Sequence, residues 1–467
     1  MSVRKHLLLL NPWIYDFTAF DLWSKPLGLL YIASFLRSNG FRVSLIDCLA
    51  AKKTKKKFGI GNFRREIVTK PEILSDIPRH FARYGISEKE FRTSLRKIDP
   101  PDAILVTTIM TYWYLGPVRA VEILREEFPG TPVILGGIYA TLMPGHAQKH
   151  VNPDYLISGP GELKILELLC DLFNLEKKSY IMPEKLDDYP FPAFDLIPDL
   201  DYLIIMTARG CPYDCSFCAQ KRIAPPFTQR NPEKVVAEIK YHYNKFKIRD
   251  FAFYDDALFI GRERHIKTIL RQIIELQLPI RFHSPNGLFA KLIDEELAEL
   301  MYRAHFKTIR LSFETSNENR RSDMYNKISN TGMINAVTNL KKAGYRAADL
   351  EAYVIMGLPE QELDEILNSM IFINQLGLEV RLASFSPIPG TRDFDKAVET
   401  GLISSDIDPL LTNKSIFPLK NDRLNYSTFR NIRLLGQLMN DAAQKQFALF
   451  TDEKIGPALN KVLDEFN

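Results

Sequence analysis

The sequence predicts an α/β protein. An N-terminal doubly wound domain of the flavodoxin or Rossmann-like type is followed by a partial (β/α)6 barrel of the TIM type and a helical C-terminal cap. Two observations carry this prediction. Short apolar runs alternate with helical patterns over residues 6–173, and the same alternation resumes for six further strands from Leu203. Residues 400–467 then show helical patterning only.

The composition indicates an ordinary globular protein. The chain has 467 residues, 46% hydrophobic and 25% charged, so it is too long for one ordinary core. The net charge of +4 is too small to predict nucleic-acid binding. The Leu7–Leu10 run stops at Asn11-Pro12, and no other apolar stretch reaches membrane-spanning length. We therefore expect a cytoplasmic protein with no integral membrane segment and no nucleic-acid partner.

Residues 1–173 form the predicted N-terminal domain. Its buried parallel strands are expected at His6–Leu10, Phe41–Ile46, Ala103–Ile109, Pro132–Leu135 and Tyr155–Ile157. Helical patterns between them cover Leu27–Ser38, Val118–Phe128, Leu142–His150 and Glu162–Phe173. In a doubly wound sheet, ligands bind outside the carboxyl ends of the strands.

The loops at those strand ends are rich in aromatic residues and glycines. The first loop, Asn11–Pro26, carries Trp13, Tyr15, Phe17, Phe20 and Trp23. The third carries Tyr112, Trp113 and Tyr114, and glycines recur at Gly136, Gly137, Gly159 and Gly161. Glycines let a backbone approach a ligand closely, and aromatic loops suit a large flat ligand. Burial of the aromatic side chains at a domain interface is an equally good interpretation on composition alone.

Residues 49–100 are a long insertion before the third strand. The insertion carries a lysine run, Lys52, Lys53 and Lys55–Lys57, and then Arg64 and Arg65. A solvated surface is the simpler interpretation of this run, and a patch for an anionic substrate or carrier is the alternative. Apolar residues between Phe58 and Val68 predict that the insertion partly folds.

Residues 174–200 are the predicted linker, because four prolines interrupt any regular element there. The predicted barrel covers residues 201–399, with strands at Leu203–Thr207, Phe251–Tyr254, Ile280–His283, Thr308–Phe313, Leu350–Ile355 and Val380–Phe385. Helices are expected at Pro232–Phe246, Arg262–Leu276 and Gln361–Leu376. Chemistry in barrels collects at the carboxyl ends of the strands. The C-terminal region has an apolar stripe at Leu434, Leu435, Leu438 and Met439 and is expected to cap the barrel.

Three of the five cysteines follow the first barrel strand with the spacing C-x3-C-x2-C: Cys211, Cys215 and Cys218. Three thiolates can hold three corners of a cubic iron–sulfur cluster and leave the fourth iron open for a substrate molecule. A structural zinc site prefers four ligands, and no fourth cysteine or histidine lies close in the sequence. Zinc, or a cluster for electron transfer only, is therefore the weaker alternative. Cys48 and Cys170 are expected to be buried thiols of a reducing compartment.

Because Phe217 precedes the last cysteine, Arg209–Gln220 resembles the cysteine motif of the radical S-adenosylmethionine (SAM) superfamily. The resemblance implies a 4Fe–4S cluster on the three cysteines and cleavage of bound SAM to a 5′-deoxyadenosyl radical. It also implies SAM-binding residues at successive strand ends: Phe217, Asp255, Asp256, Glu314, Gly357 and Pro359. Arg310, Arg320 and Arg321 are candidates for the SAM carboxylate. Asp255 and Asp256 could also serve as general acid/base groups or as a helix cap.

The first third of the chain resembles the cobalamin-binding domain that is fused to many radical SAM enzymes. Pro26–Arg37, Leu135–Thr141 and Gly159–Glu162 carry the resemblance. It implies cobalamin as a cofactor, bound by Trp13, Pro26, Gly28, Thr108, Tyr112, Gly136, Gly137, Ala140, Thr141, Gly159, Gly161 and Glu162. The D-x-H-x-x-G signature, whose histidine ligates cobalt, is absent from the sequence. A domain that has lost its cofactor is the alternative.

Together these resemblances imply a cobalamin-dependent radical SAM enzyme. We expect a methyltransferase that methylates an unactivated carbon of a small-molecule or lipid-like substrate through methylcobalamin. An electron donor such as flavodoxin or ferredoxin is an expected partner. One alternative is a non-methylating cyclase or rearrangement enzyme, and another is a cobalamin- or SAM-binding sensor. The sequence assigns no residue a catalytic role.

Overall fold

The computed structural model describes residues 4–177, 180–325, 327–421 and 424–444. The chain divides into two compact units. The first unit extends to Ile204 and also includes Gln220–Arg230 and Pro409–Leu411. The second unit contains Ile205–Ala219, Asn231–Asp408 and the chain from Thr412 onward.

The first unit is built around a five-stranded parallel sheet. Its strands are β1 (His6–Asn11), β2 (Ile14–Asp16), β3 (Phe20–Asp21), β4 (Arg42–Asp47), β5 (Lys52–Lys55), β6 (Gly61–Phe63), β7 (Arg65–Ile67), β8 (Ala82–Tyr84), β9 (Ala103–Val106), β10 (Val133–Leu135) and β11 (Tyr155–Leu156). Its helices are α1 (Leu27–Ser38), α2 (Glu88–Leu95), α3 (Leu115–Glu127), α4 (Ile138–Leu142), α5 (Pro144–Val151) and α6 (Glu162–Phe173). The sheet order is β11-β10-β9-β1-β4. The order reverses between β1 and β9, which is where doubly wound sheets form their ligand crevice.

This sheet confirms the predicted doubly wound fold, with two differences in the elements. The predicted helix Leu142–His150 is wrong, because Met143 leaves the helical region (φ −135°) and Pro144 begins a separate helix, α5. The third parallel strand, β9, ends at Val106, so Thr107–Ile109 belong to the loop at the carboxyl end of the sheet.

The insertion folds together with the first loop into two small antiparallel sheets, β2-β8-β7 and β3-β6-β5. Trp13 is buried among them: its ring packs edge-on against Phe91 at 4.8 Å, and its indole N–H donates to the Ile86 carbonyl at 2.6 Å. Phe17 and Trp23 are also buried, whereas Phe20 is 49% exposed. The aromatic residues of the first loop therefore serve mainly as the core of the folded insertion.

The predicted linker packs on the first unit. The Ala193 N–H donates to the Leu30 carbonyl of α1 at 3.1 Å, and Phe194 is fully buried. Tyr189 and Leu196 pack against the core that α1 shares with the parallel sheet. The prolines interrupt regular structure in this segment. The segment is nevertheless not a free linker, because its apolar side chains complete that core.

The remaining elements build the predicted partial barrel. Its strands are β12 (Leu203–Ile205), β13 (Ala208–Arg209), β14 (Thr228–Gln229), β15 (Asp250–Phe253), β16 (Arg281–His283), β17 (Phe306–Glu314), β18 (Leu350–Met356) and β19 (Glu379–Ser384). The helices are α7 (Gln220–Ile223), α8 (Pro232–Phe246), α9 (Ile266–Glu275), α10 (Glu295–Arg303), α11 (Glu318–Asp323), α12 (Asn330–Lys342), α13 (Leu363–Gln375), α14 (Arg392–Glu399) and α15 (Tyr426–Gln444). The barrel sheet has the order β12-β15-β16-β17-β18-β19, and β15 to β19 pair in parallel. Of the elements named here, α7 and β14 belong to the first unit.

Helix α15 covers the open edge of this sheet. The Asn440 amide accepts from the Val380 N–H at 2.8 Å and donates to the Val380 carbonyl at 3.0 Å, so it satisfies one residue of edge strand β19. The predicted apolar stripe is partly wrong. Leu434 is 52% exposed, and the buried face of α15 instead follows a helical period through Phe429, Ile432, Leu435 and Met439.

We expect Asn440→Ala to lower the free energy of unfolding of the second unit by about 1–3 kcal/mol, because both backbone groups of Val380 lose their partner. Urea unfolding followed by far-UV circular dichroism measures the change. The matched control is Gln437→Ala, which truncates an exposed amide on the same helix. Equal stability of the two variants would contradict the edge-pairing role.

Among the helices of the described residues, none combines the length and apolar character needed to cross a membrane.

Candidate functional site

The three clustered cysteines lie on a loop at the carboxyl end of β12, in the second unit. Cys211 and Cys215 are buried and Cys218 is exposed. The Ser216 N–H donates to the Asp323 carbonyl at 3.2 Å, and the Ser216 hydroxyl donates to the Asp393 carboxylate at 2.9 Å. The loop is therefore fixed between α11 and α14.

A lysine that the sequence analysis missed accompanies the cysteines. Lys327 has its ammonium 4.8 Å from the Phe289 ring centroid and also lies over the rings of Tyr213 and Phe217. Burial raises the pKa of the Cys215 thiol, and the charge of Lys327 together with its hydrogen bond to that thiol acts in the opposite direction. No spacing in the sequence ties this lysine to the cysteine motif, so only the folded chain could have identified it.

The donor set suits an iron–sulfur cluster better than a single ion. Over the described ranges, no three His, Cys, Asp or Glu side chains come close enough to hold one metal ion. In an iron–sulfur cluster each thiolate binds a different iron, so the sulfur atoms need not converge on one point. Three cysteines on one braced loop fit that requirement, whereas structural zinc needs four convergent ligands.

The two predicted aspartates after β15 have different environments. Asp255 is buried, and its carboxylate accepts from the Thr207 N–H at 3.0 Å and from the Thr207 hydroxyl at 2.7 Å. Asp256 is exposed as a residue, but protein atoms surround its carboxyl group, and this desolvation, followed by the charge of Asp255, raises its pKa to about 7. Asp255 thus fixes the start of the cysteine loop, and the role of Asp256 toward SAM stays a prediction. Asn286, whose role was unclear from sequence, donates to the Tyr254 carbonyl at 3.0 Å and so supports the same strand end.

Burial raises the pKa of Asp255 to about 6 from 3.8, against the hydrogen bonds from Thr207. The folded chain therefore binds this proton more tightly than the unfolded chain. The stability that Asp255 contributes is complete below about pH 4 and is lost as the pH rises through about 6.

Asp255→Asn should remove this dependence and change the slope of unfolding free energy against pH by at most about 1.4 kcal/mol per unit between pH 4 and 6. Urea titrations of the cofactor-free protein measure the slope. Asp395→Asn, at an exposed carboxylate, should keep the wild-type slope; an unchanged slope in Asp255→Asn would contradict the assignment.

Glu314 ends β17 in a strained conformation. Its φ of 70° lies in the left-handed region, where a non-glycine residue costs about 1–3 kcal/mol, and the pairing of β17 with β18 shifts register at this point. Burial raises the pKa of its carboxyl to about 7, with the charge of Lys327 opposing the shift. Strain at a strand end beside the cysteine loop is typical of a side chain aimed at a ligand.

The turn after β18 is also specialised. Gly357 has φ 91°, and its N–H donates to the Gln361 side chain at 2.7 Å. The Pro359 carbonyl accepts from the Arg320 guanidinium at 3.3 Å, and Arg320 also pairs with Glu365 at 2.8 Å. This network joins the ends of β17 and β18, so the backbone that was predicted to approach SAM is held rigidly.

The three candidate arginines for the SAM carboxylate all have protein partners. Arg310 pairs with Glu351 at 2.8 Å, Arg320 pairs with Glu365, and Arg321 donates to the Thr315 carbonyl at 2.9 Å. Their role toward SAM stays a prediction. Lys327 is a cation that the structure places beside the cysteines.

A small, partly open cleft lies at the carboxyl end of the first unit's sheet. It lies at the switch point between β1 and β9, and its lining comprises Asn11–Ile14, Leu49, Thr107–Met110, Trp113, Tyr114, Pro117 and Tyr139. Trp13 and Thr108 belong to the predicted cobalamin set. The remaining lining residues were outside that set, although Trp113, Tyr114 and Tyr139 stand in the loops that the sequence singled out.

Most other residues of the predicted cobalamin set shape the neighbouring loops. Gly137 (φ 97°) packs on Thr108, the Thr141 hydroxyl accepts from the Gly159 N–H at 2.8 Å, and the Ser158 hydroxyl donates to the Ala140 carbonyl at 3.1 Å. The rest are distributed as follows: Pro26 and Gly28 begin α1, Gly136 follows β10, Gly161 and Glu162 begin α6, and Tyr112 is buried, which raises its pKa. Direct contact of these residues with cobalamin stays a prediction.

The chain resembles known proteins in sequence and in fold. Residues 205–373 match the radical SAM superfamily. Over 450 residues the chain is 23% identical to an uncharacterized methyltransferase of Pyrococcus horikoshii, with 89% of each protein covered. It is 27% identical over 274 residues to an anaerobic magnesium-protoporphyrin IX monomethyl ester cyclase of Rubrivivax gelatinosus, covering 52% of this chain and 48% of the cyclase. The structure of the radical SAM methyltransferase TsrM from Kitasatospora setae, with cobalamin and a 4Fe–4S cluster bound, superposes with a TM-score of 0.62 at 16% identity, covering 85% of this chain and 78% of TsrM. This likeness confirms the predicted fold class.

Proposed function

The chain is a radical SAM enzyme, and from this premise we propose that it is a cobalamin-dependent methyltransferase acting on a carbon of a small molecule. The observation that carries the proposal is the braced loop with three cysteines at the carboxyl end of a parallel barrel strand, joined in one chain to a doubly wound unit with a cleft at its switch point. The chain covers 89% of a relative that is named a methyltransferase, which supports transfer of a methyl group.

The cysteines and their neighbours are assigned to different parts of the cluster and SAM. Cys211, Cys215 and Cys218 would hold a 4Fe–4S cluster that supplies the electron for cleaving SAM, while cobalamin in the other unit supplies a methyl group. Asp256 would accept a hydrogen bond from the SAM ammonium, and Lys327 would pair with the SAM carboxylate. Glu314 is the candidate for the ribose hydroxyls.

The first unit is proposed to hold cobalamin at its cleft. Thr108, Trp113, Tyr114 and Tyr139 give the small cleft a mostly apolar lining with a few polar groups, which supports an apolar, flat ligand. The lining of the cleft contains no histidine, in keeping with the missing histidine motif. An electron donor such as flavodoxin or ferredoxin, and a cytoplasmic location, belong to the proposal.

The proposal is tested by anaerobic reconstitution with iron, sulfide and hydroxocobalamin, followed by gel filtration and analysis of SAM products. A retained cobalamin absorption band with both 5′-deoxyadenosine and S-adenosylhomocysteine is the expected result. Absence of 5′-deoxyadenosine from protein that contains its full complement of iron would overturn the enzyme assignment.

A non-methylating cyclase or rearrangement enzyme is the second candidate. The 27% identity with the Rubrivivax gelatinosus cyclase favours it. In the same experiment it would form 5′-deoxyadenosine with little S-adenosylhomocysteine, so the product ratio separates the two functions. A sensor would form neither product at a catalytic rate.

A further inference from the structure

The barrel sheet of the second unit has one apolar face and one charged face. Phe313 stacks on Phe372 of α13 at 5.0 Å, and Leu382 lies against Gly436 of α15, so these side chains define the face that the helices cover. Successive side chains of a strand alternate between faces. Arg381, which adjoins Leu382, therefore lies on the opposite, lumen face. Arg310 shares that face, because Arg310 pairs with Glu351 and Arg381 pairs with Tyr353, which are two residues apart on β18.

A network centred on Glu351 organises this lumen face. Its carboxylate accepts from the Arg310 Nε at 2.8 Å, from the Arg381 Nε at 2.7 Å and from the Arg381 Nη2 at 2.9 Å. The Arg310 Nη1 also donates to the Tyr353 hydroxyl at 3.3 Å, and that hydroxyl donates to the Pro285 carbonyl at 2.9 Å. Two guanidinium groups thus share one carboxylate. The Arg310 and Glu351 side chains are only 9% and 16% exposed, so they hold Arg381 in a fixed orientation.

Arg381 is the accessible member of the network. Its side chain is 46% exposed, and only its Nε and Nη2 atoms are used by Glu351. Glu379 lies 4.0 Å from Nη2 as a second, more distant carboxylate, and it also accepts from the Gln444 amide at 2.6 Å. Within the described residues, Arg381 Nη1 donates no hydrogen bond. The end of the guanidinium fork, formed by Nη1 and the second hydrogen of Nη2, therefore faces the lumen with the geometry that an oxyanion prefers.

The strand register places Arg381 three residues before the end of β19. Arg381 pairs with Tyr353, whereas Ser384 pairs with Met356, the residue before Gly357 at the rim. Three residues of strand correspond to about 10 Å. A group bound to Arg381 thus lies about 10 Å below the carboxyl end of β19, measured along the strand, whereas the cysteine loop follows β12 at the opposite edge of the sheet.

We propose that the substrate carries an oxyanion group, a carboxylate or a phosphate, which binds to Arg381 on the lumen face. This inference rests on the proposed function and narrows its substrate class. A hydrocarbon group in the same place would desolvate the Nη1 donors of Arg381 and offer them no acceptor. The lumen therefore selects a polar acid over the lipid-like substrate that the aromatic loops had left open.

The test is isothermal titration of the cofactor-free protein with inorganic phosphate and, separately, with malonate. We expect the wild-type chain to bind at least one of the two anions, and Arg381→Gln to weaken that binding at least tenfold. Phosphate binding alone would point to a phosphate or phosphonate substrate, and malonate binding alone to a carboxylic acid. Arg381→Lys, which keeps the charge but loses the fork, should fall between the two.

The matched control is Arg303→Gln, which alters a similarly exposed arginine paired with Glu299 on α10. It should bind anions as the wild type does. Circular dichroism checks that Arg381→Gln folds, since Glu351 keeps its pairing with Arg310 in that variant. Wild-type affinity in Arg381→Gln, or no binding of either anion by the wild-type chain, would overturn the proposal. Because the titration uses neither cluster nor SAM, its failure is distinguishable from failure to cleave SAM.

Discussion

Replacing Cys215 by alanine should abolish formation of 5′-deoxyadenosine. Cys215 is one of only three thiols on the braced loop, and a cubic cluster that keeps one iron open for SAM needs all three. We expect the reconstituted variant to lose its cluster absorption band and most of its iron and sulfide. SAM cleavage should fall below detection, a loss of at least about a thousandfold.

Cys170→Ala provides the matched control, because it removes another buried thiol, from the core of the first unit. That variant should bind iron and cleave SAM as the wild-type chain does. Deoxyadenosine production by Cys215→Ala at the wild-type rate would mean that the three-cysteine loop is not the cluster site. Loss of activity in both variants would point to a general folding defect, which circular dichroism would reveal.

Gly137→Ala should destabilise the first unit by about 2–5 kcal/mol. A β-carbon at Gly137 would lie 2.2 Å from the Thr108 carbonyl oxygen and 2.7 Å from the Thr108 nitrogen, and both are backbone atoms that cannot move aside. The φ of 97° adds strain of about 1–3 kcal/mol for any residue with a side chain. Because Thr108 lines the cleft, the same change should weaken retention of cobalamin on gel filtration.

Urea unfolding followed by tryptophan fluorescence isolates this effect, because Trp13, Trp23 and Trp113 all lie in the first unit. Gly145→Ala is the matched control. A β-carbon there meets no atom within 4 Å, and Gly145 lies in α5, so alanine should be neutral or slightly stabilising. Equal midpoints for the two variants would show that the close approach of Gly137 to Thr108 does not limit stability.

The parallel strands and the cysteine motif were predictable from sequence, because both depend on neighbours along the chain. Continuous apolar runs such as His6–Leu10 identify strands buried on both faces, and the helices Leu27–Ser38 and Pro232–Phe246 were predicted with their observed bounds. Met143 and Pro144 show the limit of this reasoning. Hydrophobic periodicity continued through a point where proline divides one predicted helix into two.

The first loop and the insertion illustrate what periodicity does not reveal. The aromatic residues around Trp13 fit a ligand site and a core equally well by composition. Antiparallel pairing of β2 with β8 and of β3 with β6, which are far apart along the chain, buries Trp13, Phe17 and Trp23. The residue types therefore predicted that these side chains make apolar contacts. Only the long-range strand pairing showed that the contacts are made within a protein core rather than with a ligand.

By itself, the sequence determined that this protein has two parallel α/β units and one loop with three cysteines. Those features rest on local patterning and on short spacings that survive in any folded arrangement. Only the tertiary structure showed that Lys327 lies beside Cys215. It also showed that the Asp255 carboxylate accepts hydrogen bonds from Thr207, whereas Asp256 is exposed. The same holds for Glu351, which fixes Arg381 on the lumen face. Each of these contacts joins residues that are distant in the chain. The burial that shifts their pKa values and fixes their side-chain orientations exists only after the strands have paired.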